Sequence, residues 1–183
     1  MQGVVFTLFS ELVIEKFGIE TWNDLIDTSS PQSEGVYTSG QQYPSEELKE
    51  LVVVLSAKTS IPQTDLVRAF GHFLFDHLIN MSPVSIEQCQ GLGDLLMIID
   101  ETIHGEVKRL NPTVTLPSIK VISHNSQEYV MEYKSIRKLC FLAEGLIQGA
   151  ADYYGTPIML KQTDCMHDGC DHCKIIITFT GSP

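Results

Sequence analysis

The sequence has few basic residues. Its 183 residues include 12 lysines and arginines against 23 aspartates and glutamates, a formal net charge of −11. Because nucleic acids and anionic membrane surfaces attract positive charge, we expect the chain to bind neither. A partner with a basic face is compatible with this charge, although an acidic surface is also a common feature of soluble proteins.

Long hydrophobic runs are also missing. No stretch approaches the roughly 20 apolar residues that a membrane-spanning helix needs. The segment from Met1 to Phe6 lacks the basic region of a secretion signal. We therefore expect a cytoplasmic protein. The cysteines number five, and an odd count argues against a disulfide framework in that reducing compartment.

Hydrophobic periodicity predicts helices first and strands later. Helices are expected over residues 3–17, from Thr21, over 45–58 with Ser45 as N-cap, over 62–80 before Ser82 and Pro83, and from Ile86 or Leu92 to Leu110. Strands are expected at 119–122, 129–133, 158–160 and 175–179, with a long helix over 137–154. This order is typical of an α+β fold. A helical N-terminal lobe would cover about 1–62, and antiparallel strands with long helices would form a second lobe over 63–183.

The helix ending at Leu110 contains one histidine, His104, at the edge of its apolar stripe. His104 is rotated by about 100° from the stripe residue Ile103, so its imidazole is expected to point into a cavity between elements. A neutral imidazole there can ligate a haem iron while a second group holds its other nitrogen. Taken alone, such a position more often belongs to an ordinary, partly buried histidine.

Tyr133, Ser135 and Arg137 occupy alternate positions of a segment that is expected to be extended, and such residues face one side. Two hydroxyls and a planar guanidinium suit a carboxylate or a phosphate. The alternative is a strand edge with polar side chains in solvent.

These two patterns occur together. Pro117 follows His104 by thirteen residues, and Tyr-x-Ser-x-Arg follows at 133–137. Other matching features are the Met1-Gln2-Gly3 start, Gly71 and the segment Phe141-Leu142-Ala143-Glu144-Gly145. The combination resembles the haem-nitric oxide/oxygen binding (H-NOX) family over essentially the whole chain.

The resemblance implies a role for each of these residues. His104 would be the proximal iron ligand of haem b, held between the two lobes. The haem propionates would bind Tyr133, Ser135 and Arg137, and Pro117 would press on the porphyrin. The distal side would be lined by Val5, Phe9, Leu74 and Leu142. Because none of these four side chains has a hydrogen-bond donor, they favour nitric oxide over dioxygen.

The function implied is that of a nitric oxide sensor rather than an enzyme. Nitric oxide would bind opposite His104, weaken the iron–histidine bond and release the helix of His104. The resemblance implies a separate partner, either a histidine kinase or a diguanylate cyclase or phosphodiesterase. A haem enzyme such as a peroxidase lacks support, because no acid–base pair is expected beside the iron.

A cluster of cysteines lies near the C-terminal end of the sequence. Cys165, Cys170 and Cys173 follow the helix of Cys140, and thiolates at this spacing suit tetrahedral zinc. The resemblance implies zinc ligands at Cys140, Cys165 and Cys173, with a histidine where this chain has Gln162. We predict Cys170 as the fourth ligand, with His167 or His172 as alternatives. A zinc-bound or redox-active thiol module is the second functional hypothesis, and inert cysteines are a third interpretation.

Overall fold

The computed structural model describes residues 1–81 and 88–181. Its elements are α1 (Gly3–Phe17), α2 (Ile19–Ser29), α3 (Ser45–Thr59), α4 (Gln63–Met81), α5 (Leu92–Ile98), a π-helical segment (Ile99–His104), α6 (Gly105–Leu110), β1 (Ser118–His124), β2 (Glu128–Lys134), α7 (Cys140–Tyr153), β3 (Ile158–Asp164), a 3-10 helix (Met166–Asp168) and β4 (Cys173–Phe179). The predicted α+β class is confirmed. None of the helices in the described residues is long and apolar enough to cross a membrane.

The four strands found in residues 1–81 and 88–181 form one antiparallel sheet in the order β1-β2-β4-β3. Hairpin pairing joins β1 to β2 and β3 to β4, and β2 pairs with β4 in the middle of the sheet. This register sets Tyr133 opposite Cys173. Directly paired residues lie on the same face of a sheet. The sheet therefore places part of the predicted anion tripod next to part of the cysteine cluster.

The core of the described residues consists of two hydrophobic clusters. One is formed by α1 to α4 and contains Phe6, Phe9, Leu51 and Leu55, and the other lies between α7 and the sheet and contains Met131, Ile147, Ile175 and Ile177. Helix α4 contributes to both, through Phe70 and Leu74 to the first and Phe75 to the second. The predicted lobe boundary near residue 62 stays a prediction.

Glycines bring α4 and α7 into direct backbone contact. A Cβ atom on Gly71 would lie 2.3 Å from the carbonyl oxygen of Leu142, and one on Gly145 would lie 2.1 Å from that of Arg68. Neither position has room for a side chain. Next to this contact, Arg68 Nε donates a 2.7 Å hydrogen bond to the buried carboxylate of Glu144. The register between the two helices is therefore tightly fixed.

The predicted element boundaries needed several corrections. Helix α3 begins at Ser45 itself, whose hydroxyl donates to the Glu46 carboxylate, so Ser45 is not an N-cap. Helix α7 begins at Cys140 instead of 137, because Lys138 adopts a left-handed φ of 53° that a helix cannot contain. Helix α2 begins at Ile19, two residues before Thr21. The predicted helix end at Ser82 and Pro83, and the possible start at Ile86, lie outside the described residues.

Candidate functional site

His104 is the last residue of the π-helical segment that separates α5 from α6. A π turn holds more residues than an α turn, so it shifts the phase of the helix surface. Ile99 and Ile103 remain half-buried, but Leu110 is 70% exposed. The apolar stripe therefore ends before Leu110, contrary to the regular helix predicted from the sequence. Such segments are frequent at functional sites.

The His104 side chain is only 19% exposed. Burial lowers the pKa of His104, and the Asp100 carboxylate and the Pro117 backbone carbonyl oppose that effect without cancelling it. The imidazole is therefore neutral near neutral pH. The neutral ring is the form that ligates a metal.

The three residues of the predicted anion tripod lie at the end of β2. Tyr133 is in the strand, whereas Ser135 and Arg137 lie in the turn that follows it. The expectation of one extended segment is therefore correct only for Tyr133, and the turn positions the other two. The Arg137 backbone N–H donates to Ser135 Oγ at 3.2 Å, and Arg137 Nη1 donates to the Thr115 carbonyl at 2.7 Å.

The Tyr133 hydroxyl accepts a 3.2 Å hydrogen bond from the Leu139 backbone N–H. Burial raises the pKa of Tyr133 to about 12. The phenol therefore keeps its proton at neutral pH and remains available as a donor.

One cavity of about 190 Å³ brings most of the predicted haem residues together. Its lining includes Val5, His104, Pro117, Tyr133, Ser135, Arg137 and Leu142. A second cavity of about 150 Å³ shares His104, Ile119 and Tyr133 with it. The cavity wall is largely apolar, and its polar groups include one imidazole, two hydroxyls and a guanidinium. Such a wall suits an apolar ring that has carboxylate substituents and a metal centre. The residues present therefore fit haem.

Two predicted distal residues do not line this cavity. Phe9 and Leu74 are 1% and 2% exposed within the N-terminal cluster, against which Leu142 packs. Their placement next to a bound gas stays a prediction.

Three of the five cysteines converge. The Sγ atoms of Cys140, Cys165 and Cys173 all lie within 4.8 Å of one another. Burial is the main cause that raises the pKa of both Cys140 and Cys173. Without a bound cation, these two thiols are therefore protonated.

The structure does not bring the predicted fourth ligand into this cluster. Cys170 is exposed and lies outside the group of three. The His167 ring makes a 2.8 Å hydrogen bond to the Lys138 carbonyl, and His172 Nδ1 lies 2.6 Å from Asp171.

Gln162 lies beside the cluster instead. Its Nε2 donates to Cys140 Sγ at 3.8 Å, and its Oε1 is buried without a hydrogen-bond partner in the described part of the chain. The fourth ligand therefore stays open.

Asp100 is a candidate site residue that was not predicted from the sequence. This residue lies four positions before His104, a spacing that places two side chains on one helical face. This four-residue spacing was the feature of the sequence from which Asp100 could have been predicted.

Comparison with known proteins identifies the family of the chain. The sequence profile described as "Haem-NO-binding" matches residues 2–162, which is most of the chain. The chain belongs to this family. This match confirms the resemblance identified from the sequence. Members of the H-NOX family bind haem.

Solved H-NOX structures superpose closely on this one. The protein from S. oneidensis in its Fe(II)NO state has 33% identity and a TM-score of 0.91, with 99% of this chain and 100% of that chain covered. The unliganded Fe(II) protein from K. algicida has 29% identity and a TM-score of 0.92, with 100% and 98% covered. A variant of the T. tengcongensis H-NOX has 20% identity and a TM-score of 0.86, with 99% and 98% covered, and supports the fold alone.

Proposed function

We propose that this H-NOX protein is a haem-based nitric oxide sensor that regulates a separate signalling protein. The observation that carries the proposal is the cavity that His104 shares with Tyr133, Ser135, Arg137 and the apolar Leu142. When bound there, haem b would supply a ferrous iron that binds diatomic gases.

The residues of the cavity divide into three tasks. His104 would be the axial ligand, and its neutral imidazole suits that task. Tyr133, Ser135 and Arg137 would hold the propionates, with the guanidinium in a bidentate contact. Pro117 would press on one face of the ring.

The apolar side chains of the cavity would set the choice of gas. Val5 and Leu142 line the cavity and have no hydrogen-bond donor. Bound dioxygen carries partial negative charge and is stabilised by a donor, whereas nitric oxide binds ferrous iron strongly without one. This pocket would therefore discriminate against dioxygen.

Signal output would come from the segment around His104. No residue of α6 is buried, whereas Ile99 and Ile103 of the π-helical segment pack against the core, so α6 is the less firmly held part. When His104 is no longer held as a ligand, this segment would move and change the surface of the protein. The partner reading that surface would be a histidine kinase or a diguanylate cyclase or phosphodiesterase.

A visible spectrum tests the sensor proposal. The purified ferrous protein should show a Soret band that shifts when nitric oxide is added and does not shift in air. A colourless protein that contains zinc would contradict the haem proposal and favour a thiol redox module built on the cysteine cluster.

Zinc binding is a second proposal, supported by the convergence of Cys140, Cys165 and Cys173. Purified protein should contain about one zinc per chain, as expected for a closed site. Cys165→Ala and Cys173→Ala should each reduce that content to near zero and lower the Tm, because a structural zinc stabilises the fold around it. Metal analysis and thermal denaturation measure both effects.

Cys89→Ala is the matched control, because Cys89 lies outside the group of three, and this variant should keep its zinc. Cys170→Ala tests the fourth ligand, and unchanged zinc content would exclude Cys170. Haem iron without zinc, in protein never exposed to oxidant or chelator, would contradict the site.

A further inference from the structure

The imidazole of His104 has an acidic neighbour on its own helical segment. His104 Nδ1 lies 3.6 Å from the nearer carboxylate oxygen of Asp100. This separation is too long for a hydrogen bond, and His104 Nδ1 is buried without a partner among residues 1–81 and 88–181. A shift of less than 1 Å would bring the two atoms to hydrogen-bond distance.

The same carboxylate oxygen, Oδ1, is also held by the sheet. Asp100 Oδ1 accepts a 3.2 Å hydrogen bond from the backbone N–H of Ile119 in β1. Ile119 also lines both cavities that contain His104. Asp100 is 30% exposed, compared with 19% for His104, so the pair is partly shielded from water. The sheet therefore fixes the Asp100 carboxylate beside the ring.

We propose that Asp100 is a positioning residue that accepts the Nδ1–H of His104 when the opposite nitrogen, Nε2, ligates haem iron. The proposal rests on the proposed haem function. A carboxylate acceptor orients a ligating imidazole and increases its basicity. A more basic axial ligand strengthens the iron–histidine bond and lowers the reduction potential of the iron.

One other group competes for this role. The backbone carbonyl of Pro117 is also an acceptor for the His104 ring, and it raises the pKa of His104. A carbonyl is a neutral acceptor, whereas hydrogen bonds to an ionised group are shorter and roughly twice as strong. The iron–histidine bond should therefore be stronger with Asp100 as the acceptor than with Pro117, and a substitution at Asp100 distinguishes the two cases.

The test is Asp100→Asn in the haem-loaded protein, because this change removes the charge and preserves the shape of the side chain. We expect the ferrous iron–histidine stretching frequency, measured by resonance Raman spectroscopy, to fall. We expect the midpoint potential of the haem iron to become more positive. A purely structural role of Asp100 would change neither quantity while the fold, measured by circular dichroism, is intact.

Two further variants complete the experiment. Asp100→Glu retains a carboxylate and should preserve most of the parent frequency. Glu101→Gln removes the same charge from the neighbouring exposed position, and it should leave frequency and potential unchanged.

An unchanged frequency and potential in folded, haem-bound Asp100→Asn would overturn the proposal and assign the acceptor role to Pro117. Failure of the underlying function has a different signature, which is a ferrous parent protein without any iron–histidine band.

Discussion

Replacing His104 with glycine should remove the axial ligand while the chain stays folded. His104 Nδ1 makes no hydrogen bond among the described residues, so the substitution removes a ring that lines the cavity without breaking a hydrogen bond. The cost to folding should be the roughly 1 kcal/mol that glycine costs within a helix, plus the lost contacts of the ring with the cavity wall. The ferrous absorption spectrum should lose its histidine-ligated form, and added imidazole should restore it by occupying the vacated space.

The matched control is His72→Gly. His72 lies on α4 outside the candidate cavity, and its Nε2 lies 2.8 Å from an Asp152 carboxylate oxygen. That variant should keep the parent spectrum. If His104→Gly and the parent have the same ferrous spectrum, His104 is not the ligand and the proposed site is wrong.

Leu142→Tyr should raise the affinity of the ferrous protein for dioxygen. Leu142 lines the cavity of His104, so a phenol at this position comes within reach of a bound diatomic. A hydrogen bond to a strongly polarised oxygen contributes about 1.5–3 kcal/mol, which corresponds to a roughly tenfold to hundredfold gain in affinity. Oxygen titration of the ferrous variant, followed by absorption spectroscopy, measures this gain.

The new phenol could also point away from the cavity of His104. Leu142 also lines a groove of about 550 Å³ that contains the polar residues Lys49, Gln63 and His167. A phenol that bonds there would stabilise bound oxygen less. Adding Leu74→Asn, to hold the hydroxyl toward the gas, should therefore give the larger gain.

Leu142→Phe is the control for ring size, because it adds the ring without the hydroxyl, and it should leave oxygen affinity low. The unmodified protein should form no stable oxygen complex in air and should bind nitric oxide tightly. A stable oxy spectrum of the parent would refute the assignment of Leu142 to the distal side.

The fold was predictable wherever periodicity was regular. Alternating or continuous apolar residues indicated the four strands of the described residues, and 3.6-residue spacing indicated α1 and α4. The shift of phase at Ile99–His104 was not predictable, because a π turn leaves no distinct pattern in the residues that form it. The late start of α7 depends on the left-handed backbone of Lys138, and lysine has no intrinsic preference for that conformation.

The sequence predicted which residues belong to the candidate site better than it predicted where they lie in space. The combination of His104, Pro117 and the Tyr-x-Ser-x-Arg motif carried the recognition, and all five residues line one cavity. Sequence spacing could not show that Cys170 is exposed. It also could not show that Cys140 lies beside Cys165, which is 25 residues later in the chain. Loop residues adjacent in sequence can diverge in space, whereas a helix and a strand can bring distant thiols together.

The close approach of α4 to α7 has a consequence for how gas preference can evolve. The Leu142 carbonyl oxygen lies where a side chain on Gly71 would begin, so the backbone that holds Leu142 is pressed directly against α4. A methyl group at position 71 would overlap the Leu142 carbonyl oxygen, so the backbone of one of the two helices would have to shift. We therefore expect the effect of a substitution at residue 142 to depend on which residue occupies position 71. With the proposed role of residue 142 in gas choice, the two positions would form an epistatic pair, and an evolutionary path to oxygen binding through residue 142 would be open or closed according to the residue at 71.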